Sequence, residues 1–261
     1  MSKKSASQFV FLLFFLISCQ SVVFIEVTPG PIDISVEGEG EFFDGVGEKG
    51  ETNISQPVST NLESNSQVQV VESIVEYTIG KSADGRSISV TQIGNGSKAV
   101  VLIGGMHAGF APASVDVAER ALDYFSSTYD EVPQNVSLFI ITNANPDSST
   151  GGTESESGRV NGNNVDVNRN FPCNWQEEAV WRDEPINAGS RAFSEPEAIA
   201  LRDFFYDVDP EVVIFYEAKG SRIAPGICNG RSISERVAGV YGSAAGYVVG
   251  QITGYSVTGD V

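Results

Sequence analysis

From residue 74 onward, short apolar runs alternate with stretches of helical spacing. Glu76-Tyr77-Thr78-Ile79-Gly80 leads into an Asp84-Gly85 turn signal, and Arg86 to Ile93 then alternates as the return strand of a hairpin. Ala99–Ile103, Val136–Thr142 and Val212–Tyr216 are continuous apolar runs, the mark of strands covered on both faces. Between them, Val115, Ala118, Leu122 and Phe125 repeat at helical spacing within Pro112–Phe125. Ser194-Glu195-Pro196-Glu197 has the form of a capping box and opens a helix through Ile199, Leu201, Phe204 and Phe205. A further helix is expected over Ser232–Gly242. The alternation predicts an α/β fold with a mixed, largely parallel sheet flanked by helices. In such folds ligands sit beyond the carboxyl ends of the strands. Three strand ends, at His107, at Asn143–Asp147 and at Glu217, are expected to converge on one rim.

The first 72 residues read differently. Lys3 and Lys4 precede the apolar run Phe9–Ile17, which is too short to span a bilayer. Leu16-Ile17-Ser18-Cys19 resembles a lipoprotein cleavage box, with Cys19 as the lipidated residue. The expectation is a signal peptide over 1–18 and an exported protein facing the periplasm or cell exterior. A lipid on Cys19 would be its only hold on the membrane. Residues 20–72 hold ten acidic residues against one basic, Lys49. Such a composition buries too little apolar surface to offset ordering entropy, so residues 19–72 read as an acidic tether. A small strand near Val22–Ile34 is the competing reading. The folded domain is assigned to 73–261. The formal net charge of −18 excludes nucleic acid and charge-driven binding to anionic lipid. Outside Cys19, Cys173 and Cys228 are an even pair that a protein beyond the cytosol would join; buried free thiols are the alternative.

Candidate chemistry concentrates in two places. Gly104-Gly105-Met106-His107 follows the first buried strand and carries the only histidine of the chain. A lone histidine is more often a structural hydrogen-bonder, but a strand end at the rim favours a functional role. Gly158–Pro172 holds Arg159 and Arg169 among side-chain amides, and a guanidinium fork suits planar carboxylates.

This second stretch resembles the substrate-carboxylate signature of the zinc carboxypeptidases. Ile79-Gly80 through Arg86, Gly104–His107, Asn145-Pro146-Asp147, Val165–Phe171, Phe193–Glu197 and Tyr255–Asp260 look like family blocks in family order. The resemblance implies His107 as the first zinc ligand, and Asn168 with Arg169 as holders of a peptide's terminal carboxylate. It implies Arg159 at the scissile carbonyl and Tyr255 as a mobile residue closing over substrate. The chain also departs from the pattern. Phe110 stands where the second ligand, a glutamate, is expected. Glu217 stands where the third, a histidine, is expected. The general-base glutamate would lie beyond Val261, so the domain reads as incomplete at its C-terminus. Glu217 is then a replacement ligand or an acid paired with Lys219, Arg159 or Arg169. Asp116 and Glu119 follow on the next helix without ligand spacing. Three functions follow. The first is zinc-dependent removal of C-terminal residues from peptides with a degraded metal site. The second is metal-independent capture of a peptide or cell-wall peptide by its free C-terminus. The third is amide deacylation on the same architecture.

Overall fold

The computed structural model describes residues 21–26, 74–153, 155–218, 220–232, 234–250 and 257–260. All belong to one compact unit, Met1–Gly30 with Glu72–Val261. The expected signal segment, Cys19, most of the expected tether, Lys219 and Tyr255 lie outside the described residues.

The strands are β1 (Ser21–Glu26), β2 (Ile74–Lys81), β3 (Ser87–Ile93), β4 (Lys98–Ile103), β5 (Val136–Ile141), β6 (Glu178–Trp181), β7 (Glu184–Asn187), β8 (Val212–Tyr216), β9 (Arg222–Pro225), β10 (Ile227–Cys228), β11 (Arg231–Ser232) and β12 (Val248–Val249). The helices are α1 (Ala113–Ser127), α2 (Pro196–Val208) and α3 (Glu235–Ala245). One sheet runs β12-β9-β1-β8-β4-β5-β3-β2. Its centre, β1-β8-β4-β5, is parallel, and the β2-β3 hairpin joins antiparallel through β5. Two small hairpins, β6-β7 and β10-β11, stand apart.

The apolar runs of β4, β5 and β8 sort by parity onto two faces. Val100, Leu102, Leu138, Ile140, Val212 and Ile214 pack with Ala118 and Phe125 of α1 and with Val237 and Ala238 of α3. Val101, Ile103, Phe139, Ile141, Val213 and Phe215 pack with Ala198, Leu201 and Phe204 of α2. Both faces are covered, which is why these strands carry no alternation.

Three expectations shift. Ser21–Glu26, assigned to the tether, is a strand inside the sheet, parallel to β8 and antiparallel to β9. Its acidic surroundings outweighed the four-residue apolar run Val22–Ile25 in the sequence reading. The capping box is not made. Glu195, not Ser194, is the N-cap of α2, with no side-chain cap bond and Pro196 at the first turn. Glu197 is buried and instead accepts from Ala83 N at 2.8 Å and Asn161 Nδ2 at 2.9 Å. The last helix begins at Glu235, because Ser232 closes β11.

Candidate functional site

The site begins where β4 ends. Gly104 packs so closely that a Cβ there would lie 2.5 Å from Ser114 O, and Gly105 takes φ +69°. This turn delivers His107 to the carboxyl end of β4, where it is 3% exposed. Asn145 ties the segment down, its Nδ2 donating to Met106 O at 3.3 Å and to Arg159 O at 3.2 Å. The loop after His107 is held in turn, Phe110 N donating to Gly158 O at 2.8 Å.

His107 lies between two carboxylates. Nε2 is 2.9 Å from Asp166 Oδ1, and Nδ1 is 3.0 Å from Glu217 Oε2. Asp166 is fully buried and takes two bonds from Arg159 on its other oxygen, from Nε at 2.9 Å and Nη2 at 2.8 Å. Its first oxygen also accepts Asn168 N at 3.0 Å. Burial alone would raise the Asp166 pKa, but Arg159, His107 and Arg169 outweigh it and hold the carboxyl far below the usual range. Burial and Arg159 oppose a charge on His107, yet Asp166 and Glu217 prevail and raise its pKa. The imidazole is thus fixed in orientation and favoured as imidazolium.

Glu217 meets His107 here, and neither Arg159 nor Arg169 makes an ion pair with it among the described residues. Arg169 is 3% exposed. Its Nη1 donates to Asn168 O at 2.9 Å and its Nε to Val180 O at 3.4 Å. Among the described residues, no carboxylate lies within ion-pair distance of it. Asp260 sits on the same side. Burial, with Glu217 adding to it, pushes its carboxyl up to about 7 against the pull of Arg169, His107 and Asn168. Glu217 Oε1 and Asp260 Oδ1 are buried without hydrogen-bond partners among the described residues.

The remaining blocks are scaffold. Asp147 accepts from Ser82 Oγ at 2.7 Å, Asp84 N at 2.9 Å and Gly162 N at 3.2 Å, and pairs with Arg86, so it clamps the β2-β3 turn to the arginine loop. Asn170 Nδ2 donates to Ala188 O, Arg191 O and Ser194 Oγ at 2.7–3.0 Å. Cys173 and Cys228 are joined in a disulfide, and Cys173 bridges the backbone of Asp260.

Sequence reasoning gave no role to Asp166, although it stands within the arginine stretch; an acid between two arginines, with a histidine otherwise lacking an orienting partner, was the available signal. Trp181, Arg182 and Asp260 carried no comparable signal.

A catalytic zinc takes three protein donors and keeps one position open. Here His107 and Glu217 face one another, and Phe110 has no lone pair. Among the described residues, no group of three or more His, Cys, Asp or Glu is arranged to hold a metal. The described donors do not make up a catalytic zinc set.

A family model described as zinc carboxypeptidase matches residues 68–222. Carboxypeptidase B of Astacus astacus is 30% identical over 155 residues, covering 52% of this chain and 51% of its own. A bacteriocin of Clostridium perfringens is 31% identical over 134 residues, covering 49% of this chain and 15% of its own. The chain therefore spans about half of the first relative and a smaller share of the second. Among solved structures, carboxypeptidase A from Helicoverpa armigera aligns with a TM-score of 0.50 at 26% identity, over 63% of this chain and 45% of that one. A murein-tripeptide amidase from Escherichia coli O157 aligns at 0.52 and 23% identity, over 71% and 75%, a likeness of fold. The matched region runs from before β2 to the first residue of β9 and contains His107, Asp166, both arginines and Glu217; on this ground the chain belongs to the zinc carboxypeptidase family.

Proposed function

We propose that the site recognises the free C-terminal carboxylate of a peptide, a cell-wall peptide included, and that its metal centre is degraded relative to the family. The observation that carries the reading is Arg169, a buried guanidinium bonded to two backbone carbonyls and to no carboxylate among the described residues. A buried unpaired cation costs several kcal/mol, and a bidentate carboxylate removes that cost. Arg159 is already neutralised by Asp166. It is therefore suited to a neutral carbonyl rather than to a second anion. Asn168 sits between the two arginines' bonds and shares Asp166 through its backbone. No hydrolytic step is assigned to these residues. Asp166 is held ionised by Arg159, and Glu217 is engaged with His107; Asp260, whose carboxyl is pushed up to about 7, lies beside them and is given no proton-transfer role in this reading.

Titration of the full chain with a labelled peptide, and with the same peptide amidated at its C-terminus, tests the reading. The free acid is expected to bind at least about tenfold tighter, as one charge-assisted bidentate pair implies. Arg169→Ala should erase that difference in a chain shown to remain folded. Equal binding of acid and amide would overturn the carboxylate reading. A full equivalent of zinc per chain, lost in His107→Ala, would overturn the degraded metal centre.

A further inference from the structure

The β6-β7 hairpin is fastened to the arginine loop along its length. Asp166 N donates to Asn187 O at 2.9 Å, Asn187 Nδ2 to Asn164 O at 3.0 Å, and Arg169 Nε reaches Val180 O. Ala179 and Ile186 bury against Val160 and Ala188 in a small core of their own. The tip is the two-residue turn Arg182-Asp183 between paired Trp181 and Glu184. Both tip residues take positive φ, +53° and +66°. Turns of this kind select Asn and Gly, so an arginine here is held against backbone preference.

That arginine faces the site. Its guanidinium lies 5.5 Å from the Phe110 ring and 4.8 Å from the Trp181 ring. Arg159 approaches the same two rings at 5.3 and 4.9 Å. Phe110 and Trp181 meet edge to face, 5.5 Å apart. Phe110, at the position where the family resemblance places a metal ligand, is thus the floor of a stack that carries Arg182. A guanidinium laid on a ring keeps its donors in its own plane, where a carboxylate can meet them. Arg182 is exposed, whereas Arg159 and Arg169 are buried. With Arg159 neutralised by Asp166, Arg169 and Arg182 make the local attraction for an anion on a chain of net charge −18. Val180, which touches Arg169, and Arg182 are two residues apart in the chain, a separation of at most about 7 Å. A dipeptide covers that distance.

We infer that the hairpin tip is a second recognition element, in which Arg182 on the Phe110–Trp181 stack binds the side-chain carboxylate of an acidic residue next to the peptide's C-terminal one. The inference rests on the carboxylate reading of Arg169 and narrows its ligands to peptides bearing at least two carboxylates.

The test uses the full chain and two fluorescent pentapeptides with free C-termini, one ending Glu-Ala and the other Gln-Ala. The Glu peptide is expected to bind about tenfold tighter at low salt, with the gap closing as salt screens the exposed pair. Arg182→Asn, which suits the positive φ, should reduce the gap below about twofold and leave the Gln peptide unchanged. Arg182→Lys should restore part of it. Equal affinities in the unaltered protein, or an undiminished gap in Arg182→Asn, would overturn the inference. If Arg169→Ala left both peptides unaffected while Arg182→Asn closed the gap, the Arg169 reading would fall and the hairpin would stand. Binding of neither peptide would remove both.

Discussion

At the scale of single residues, the site is a chain of charge: Arg159, Asp166, His107, Glu217, with Arg169 and Asp260 beside it. Its pH behaviour follows from the signs. Asp260 rises from 3.8 to about 7 on folding. The folded state therefore keeps a proton that the unfolded chain gives up above pH 4. Stability falls as pH rises from about 4 to about 7 and is level beyond. His107, also raised, adds stability below its ordinary value and loses it as pH passes its folded pKa. Asp166, depressed, contributes stability that is fully present above its ordinary carboxylate pKa and is lost only as pH falls below it. Asp260→Asn should thus match the parent near pH 4 and exceed it by on the order of 1–3 kcal/mol at pH 8 in denaturant titrations. A constant offset across that range would show that Asp260 does not carry the proton. His107, Arg159 and Arg169 were legible in the sequence, because a strand-end histidine and an arginine-rich loop announce themselves. What each one touches was not legible. The pairing of Glu217 with His107 depends on β4 and β8 ending side by side, a tertiary fact.

At the scale of elements, long apolar strands and the two central helices were readable, since double-sided burial leaves unbroken apolar runs. Short hairpins were not. Glu178–Asn187 reads as a polar stretch, and its single buried positions, Ala179 and Ile186, give too little period to detect. The capping box failed for a related reason: Glu197 was claimed by the Asn161 loop, a contact 36 residues distant. One element prediction concerns the lock between Phe171–Cys173 and Gly259–Asp260. Phe171 N donates to Gly259 O at 2.9 Å and Gly259 N to Cys173 O at 2.8 Å, while Cys173 is bonded to Cys228. Replacing both cysteines by serine opens a loop of 55 residues and should lower unfolding free energy by up to about 4 kcal/mol in the chain-entropy account. Gly259→Ala should add to the loss, because φ is +65° and its Cβ would meet Arg169 O at 2.1 Å. A measured loss under about 1 kcal/mol for the double serine variant would mean the hydrogen bonds hold the lock alone.

At the scale of the whole molecule, β1 decides how the sheet hangs together. β9 and β12 reach β8 only through it. A chain beginning at residue 27 should therefore lose the β9-β12 edge and α3 packing, with a shallower denaturant slope than one beginning at residue 19. Identical slopes would place Ser21–Glu26 outside the cooperative unit. The acidic composition of residues 20–72 concealed this strand, because net charge over a window says nothing about six residues within it. The same arrangement has a consequence for how the chain is made. Ser21–Glu26 is synthesised about 190 residues before its partner β8, and β9 follows later still. Until then the segment Val22-Val23-Phe24-Ile25 has nothing in the sheet to pair with, a contact of high sequence separation that slows folding and leaves an apolar strand open to other chains. The acidic residues that follow it, repelling their counterparts on neighbouring copies, then act as guards of an unfinished sheet.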